Sequence, residues 1–284
     1  MKEYYPTSQL KFVALERIQD EPPPQESADM KMLLYRLAAK EYAGENYPPG
    51  HPPEALFHIA QVELITNLLL ANQQDDMKER GRIKANSHDL GRTITMDMRH
   101  CLLGGIMLRE LGVDDDLVYF TVAHHRWGQG VKALSNGFAL EVRKSLHEGT
   151  TQGLINDLLS NGKADLAGFA VLIADNSKEL LTPGSFEPSI VPFDRALGQR
   201  LVQKQVDLGR VMSGSHEYQA EKTGMEFLAQ VIPVMEDLLS VSYPGVIVHA
   251  QHEWPEHRAS VVALWDEIAY HQVCQTIYER PDNI

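Results

Sequence analysis

The chain is poor in several features that would point to common protein classes. Its two cysteines, Cys101 and Cys274, form no CxxC pattern and are too few for a disulfide framework. They permit one bridge at most and fit a reducing compartment. No run of about 18 apolar residues occurs, so no membrane span is expected. The opening Met1-Lys-Glu-Tyr-Tyr-Pro6 is followed by no apolar core of a signal peptide. The default expectation is therefore a soluble, cytoplasmic protein. Nucleotide-binding and hydrolase words are missing too: there is no P-loop, no GxGxxG after a strand and no GxSxG. Kinase-like, dinucleotide-binding and serine-hydrolase readings thus lack support. Positive charge is in deficit, with 26 Lys+Arg against 39 Asp+Glu and a net charge of −13. Such a surface repels phosphate backbones and disfavours a long nucleic-acid partner. A small anionic substrate stays compatible, because a bound metal reverses the local sign.

Alternating strand patterns are also scarce; Gly245-Val-Ile-Val-His249 is the one strand-like run. Helical periodicity dominates instead, and the apolar fraction of 43% suffices for a globular core. The fold class read from the sequence is all-α. Residues 1–28, ending in Glu21-Pro-Pro-Pro-Gln25, read as an extended arm, followed by a short helix at 29–43. A proline-rich connector leads at Pro53 into an apolar helix at 54–72. A polar stretch, 72–82, precedes Ser87-His88-Asp89-Leu90-Gly91-Arg92. Helices are expected at 97–111, at 115–126 with Asp114 as cap, at 138–148, 152–160 and 164–180. Beyond a Pro/Gly-containing break lie helices at 193–212, 216–241 and 256–279, with a kink expected at Pro233. The organisation expected is an N-terminal arm and short helix (1–50), a central domain (51–182) and a C-terminal helical extension (183–284).

Histidine is abundant, with 12 residues. Five of them mark the central domain together with two aspartates: His58, the adjacent His88 and Asp89, His100, the adjacent His124 and His125, and Asp175. A mixed imidazole and carboxylate set suits Fe, Mn, Zn, Co or Ni. Burying seven polar residues on otherwise apolar helices is costly unless they share a partner, and a metal ion is such a partner. Carboxylates can bridge two ions, as in the two-metal sites that clamp both oxygens of a phosphoryl transfer.

The order His, His-Asp, His, His-His, Asp resembles the HD-domain superfamily of metal-dependent phosphohydrolases. The local words are similar too: His88-Asp-Leu-Gly-Arg92, the helix from His100 to Gly112, Val122-Ala-His-His125 and Ile173-Ala-Asp175. The resemblance spans residues 58–180. Lys84-Ala-Asn-Ser87 departs from it, since apolar residues usually precede the His-Asp pair, and the stretch from His125 to Asp175 is long.

The resemblance implies an HD-type helical domain with one or two divalent transition metal ions, Fe or Mn favoured over Zn, Co or Ni. His58, His88, Asp89 and Asp175 would hold a first ion. His100, His124 and His125 would complete a second site bridged by Asp89. A bridging water would be the nucleophile, and Arg92 would contact a substrate phosphate through its fork, with Arg126 a weaker candidate. The substrate implied is a small phosphoester, a nucleotide first of all. Two alternatives accompany this reading: a diiron oxygenase on the same scaffold, and a regulatory protein with a vestigial site. A homo-oligomer is compatible with either. The other seven histidines read as ordinary residues: His51, His147, His216 and His271 at the surface, and His249, His252 and His257 near a Pro255 that interrupts helical geometry. Cys101 is expected to point away from His100, and the acidic run Asp114-Asp-Asp116 to be a helix start favoured by the dipole.

Overall fold

The computed structural model describes residues 6–42, 52–97, 99–124, 165–181 and 235–278. The protein is all-α, and no strand occurs among the described residues. Eight helices are labelled here in chain order: α1 (Thr7–Ile18), α2 (Ser27–Tyr42), α3 (Glu54–Leu69), α4 (Asp75–Ser87), α5 (His100–Glu110), α6 (Asp115–Ala123), α7 (Leu166–Ser177) and α8 (Tyr243–Tyr278). Two 3-10 turns, Leu90–Thr93 and Lys178–Leu181, follow α4 and α7. No helix among the described residues is long and apolar enough to cross a membrane.

The middle of the fold is α3. Apolar residues run all round it rather than along one stripe, the signature of a helix enclosed on several sides. Leu56, Ile59, Val62, Ile65 and Leu69 are buried, and α4, α7 and α8 all pack on it. Helix α7 is similarly apolar, with Ala167 and Phe169–Ala174 buried. Its start is fixed by Asp165, whose side chain accepts from the Gly168 N–H at 2.8 Å. Helix α5 packs on α6 and on the Leu90–Thr93 turn, while α1 covers α5 and α2 covers α4. Gly112, at φ 75°, ends α5 in the left-handed conformation that glycine adopts without strain.

Several expectations from the sequence need correction. Part of the supposed extended arm is α1, which turns Leu10, Ala14 and Ile18 inward at helical spacing. The polar stretch 72–82 largely belongs to α4, a helix whose hydrophilic first turns are held by its packed last turn. Gly245–His249 is helical: its apolar residues lie inside α8, where Val246, Ile247 and Ala250 meet the core. Pro255 does not interrupt α8 but lies within it on an exposed face, where the carbonyl left without its N–H can be hydrated. Asp114 occupies the N-cap position of α6, yet its side chain makes no capping bond. The helices expected at 138–148, 152–160, 193–212 and most of 216–241, together with Pro233, lie outside the described residues.

The departure at Lys84-Ala-Asn-Ser87 has a clear resolution. All four residues are buried at the end of α4. Lys84 is only 3% exposed, and its Nζ lies 2.9 Å from Asp116 on α6 and 3.0 Å from Asp165 at the start of α7. Arg80 reaches the other oxygen of Asp165 at 2.7 Å. The ammonium also lies 5.2 Å from the centroid of the Phe120 ring. Three helices are thus tied by an ion network centred on a buried lysine where an apolar contact was expected.

The descent from α4 to α5 depends on Gly91. A Cβ there would stand 2.0 Å from the His100 carbonyl oxygen and 2.7 Å from the Gly104 nitrogen. Backbone, not a flexible side chain, blocks the space, so only glycine lets the turn approach α5 this closely. Gly91→Ala is expected to destabilise the fold by about 1–3 kcal/mol through overpacking, read as a lower denaturant midpoint. Lys84→Met should cost about 1–3 kcal/mol, because it removes the buried cation joining the half-buried Asp116 and Asp165, of which Asp165 keeps Arg80; the same unfolding measurement checks it.

Candidate metal centre

Five helices and their ends deliver polar side chains to one buried point. His58 comes from α3, His88 from the end of α4, His100 from the first turn of α5, and His124 from the residue after α6. Asp89 follows His88, and Asp175 lies in the last turns of α7. All six are buried, with His88 and Asp89 fully so. Asp89 stands at the start of the Leu90–Thr93 turn, but its side chain does not cap that turn. It points instead into the histidines.

The two oxygens of Asp89 face different groups. His58 Nε2 lies 2.7 Å from Oδ2 and 3.4 Å from Asp175 Oδ1. His88 Nε2 lies 3.4 Å from the same Oδ2, 3.9 Å from Asp175 and 3.2 Å from His58 Nε2. On the other side, His100 Nε2 lies 2.9 Å and His124 Nε2 3.4 Å from Oδ1. Arg92 brings its Nε to 2.7 Å from Oδ2. His125, which the sequence pairs with His124, lies outside the described residues, as does Arg126.

The ring orientations share a cause. His88, His100 and His124 each donate Nδ1–H to the backbone carbonyl three residues earlier, on Ala85, Asp97 and Thr121, at 2.7, 2.7 and 2.6 Å. A carbonyl only accepts, so the Nδ1 proton is fixed and Nε2 turns towards Asp89. Backbone partners of this kind set the tautomer of metal-binding histidines.

Two buried carboxylates, two fixed cations and four imidazoles meet at this point. Burial pushes Asp89 up, but Arg92 and the imidazoles of His88, His100 and His58 outweigh it and hold the carboxyl well below its usual value. Asp175 behaves alike: burial raises it, and Lys178, whose Nζ lies 2.8 Å away, with His58 and His88 brings it far down. Burial and the nearby Lys178 lower His58 to about 4 despite Asp89. His100 goes the opposite way, to about 10, because Asp89 overcomes its burial. His124 is lowered, chiefly by burial. Asp89 thus faces Arg92 and His100 as its charged partners, while burial opposes protonation of His58 and His124. Both Asp89 oxygens are buried without a hydrogen bond of normal geometry. Imidazole nitrogens and carboxylates converging on one buried point are a donor set that divalent cations bind. The donor set, imidazole with carboxylate, suits first-row transition metals.

No protein-family model, curated protein or solved structure matches the chain significantly.

The structure adds two residues to those singled out in the sequence. Lys178, one turn after Asp175, carries no motif and meets the centre only because α7 runs on into the Lys178–Leu181 turn. Cys101 is the second. It does not point away from His100: its Sγ lies 3.4 Å from His100 Nε2 and it is 1% exposed. Burial pushes its thiol up, which leaves it a poor nucleophile. The other histidines among the described residues stay apart from the centre: His249, His252 and His271 are exposed, and His257 is half-buried with Nε2 3.9 Å from Glu63. A pocket of about 430 Å³ lined by Arg80, Lys84, Asp114 and Asp116 touches none of the clustered histidines.

Lys178→Met tests the electrostatics directly. Removing this cation should raise the His58 pKa from about 4 towards its ordinary value, since a nearby positive charge disfavours imidazolium. Proton NMR titration of chelator-treated protein reads the shift. The sign for stability follows. A histidine depressed in the folded state supports folding above its unfolded pKa, and that support is lost as pH falls towards the folded value. The variant should show a smaller loss on acidification.

Proposed function

We propose that the protein is a metal-dependent phosphohydrolase of the HD-domain superfamily, acting on a small phosphoester, a nucleotide first of all. The observation that carries this reading is Asp89: a fully buried carboxylate with His58 and His88 facing one oxygen and His100 and His124 facing the other. The ordered sequence words around these residues support the same reading.

His58, His88 and Asp175 would hold one divalent ion and His100 and His124 a second, with Asp89 common to both and His125 a further candidate. Iron or manganese is favoured; zinc, cobalt or nickel also suits the donors. When bound, such ions polarise a phosphoryl oxygen and acidify a water that can serve as the nucleophile.

The chain's own residues would do the rest. Asp89 and Asp175 supply negative charge that fixes the site for divalent cations. The carbonyls of Ala85, Asp97 and Thr121 keep three Nε2 atoms aimed inward. Arg92 is held through Nε by Asp89, and its side chain is 21% exposed. Its two terminal nitrogens suit a substrate phosphate, which they can bind as a fork. Lys178 neutralises Asp175 and adds positive charge on the same side. A local positive patch of this kind would let an acidic protein admit a phosphorylated substrate.

The test is metal content by elemental mass spectrometry on untagged protein purified without chelators, with phosphate release from a nucleotide panel. Wild type is expected to carry one or two transition metal ions and to release phosphate. Asp89→Ala, shown folded by circular dichroism, should lose metal and more than about 100-fold of the activity. A wild type that binds no metal after reconstitution would sink the proposal. Iron with oxygen uptake and no phosphate release would turn it to the oxygenase alternative.

A further inference from the structure

We infer that Cys101 is a sulfur donor to a cation on the Oδ1 side of Asp89, beside His100 and His124; the inference rests on the metal-centre reading above. The donor atoms of His100, Cys101 and His124 all lie within 4.8 Å of one another, and all three residues are buried. The Cys101 Sγ to His100 Nε2 distance is 3.4 Å. A tetrahedral ion with bonds of about 2.0 Å to nitrogen and 2.3 Å to sulfur sets those two donors about 3.5 Å apart. The separation in the protein is therefore that of two ligands on one ion. A second observation points to the same spot independently of the cysteine. Asp89 Oδ1, wholly buried, accepts no well-formed hydrogen bond, and it faces this group rather than solvent.

The local chemistry is consistent with this assignment. His100 and Cys101 are neighbours at the start of α5, where the long imidazole and the short thiol reach one region from adjacent positions. A carboxylate, a thiolate and two neutral imidazoles bring two negative charges, which match a divalent ion. On binding, the S–H bond breaks and the sulfur–metal bond forms. The proton passes to buffer and nothing is oxidised or reduced. A thiolate in the set would make this half of the centre select thiophilic metals over magnesium or calcium. The His58, His88 and Asp175 side carries no sulfur.

Cobalt(II) titration of the full-length protein tests this. Sulfur bound to cobalt gives a near-ultraviolet charge-transfer absorption that imidazole and carboxylate do not. Wild type and Cys274→Ser should both develop this band. Cys101→Ser and Cys101→Ala should lose it while still binding cobalt, and each should release about one fewer proton per ion in calorimetry across two buffers. Wild type that binds cobalt without the band overturns the inference and leaves the metal-centre reading intact. So does a band retained in the Cys101 variants or lost in Cys274→Ser. Wild type that takes up no cobalt removes both. Because the wild-type and Cys274→Ser spectra decide by themselves, the test holds even if a Cys101 variant fails to fold.

Discussion

A carboxylate taken out of water without a matching set of hydrogen bonds costs several kcal/mol, and Asp89 is in that position. It is fully buried, its oxygens accept no well-formed hydrogen bond, and it is approached by Arg92 and four imidazoles. The surrounding fold is arranged so that this charge is compensated. Helices α3, α5 and α7, the residue after α4 and the residue after α6 each present a polar group to it or to its neighbours. Without Asp89, the Nε2 atoms of these histidines would lose the carboxylate they share.

Geometry around Asp89 is set from outside the cluster. Gly91 lets the turn after Asp89 press against the His100 carbonyl, which brings the carboxylate up to α5. Lys84, one turn before His88, anchors the end of α4 between Asp116 and Asp165. Backbone carbonyls three residues upstream orient three of the rings. Arg92 and Lys178 then supply the fixed positive charge that holds Asp89 and Asp175 ionised. A rigid shell of this kind is what a catalytic or binding constellation needs, since its donors must be in place before a ligand arrives.

Much of this was legible in the chain. The all-α class follows from periodicity, because side chains three and four apart share a helix face whatever the tertiary context. The polar residues of the centre stand out because they interrupt apolar helices, as His58 does among Leu56, Ile59 and Ala60, and Asp175 does after Val171-Leu-Ile-Ala174. Other features were hidden. Helix α1 buries only Leu10, Ala14 and Ile18, and α4 is hydrophilic through most of its length, so each is held by what it packs on. Pro255 reads as a break, yet it is tolerated on an exposed helix face.

The sequence by itself determined the all-α class and the order of the histidines and aspartates along the helices, because residue type and helical period are local properties. Only the tertiary structure decided how they meet. The assignment of His58 and His88 to one oxygen of Asp89, and of His100 and His124 to the other, depends on how four helices cross. The approach of Cys101 to His100, the contact of Lys178 with Asp175 and the burial of Lys84 between two acids are likewise products of packing. These contacts join residues through side-chain rotamers and helix crossings, and neither is written in the spacing of residues along a chain.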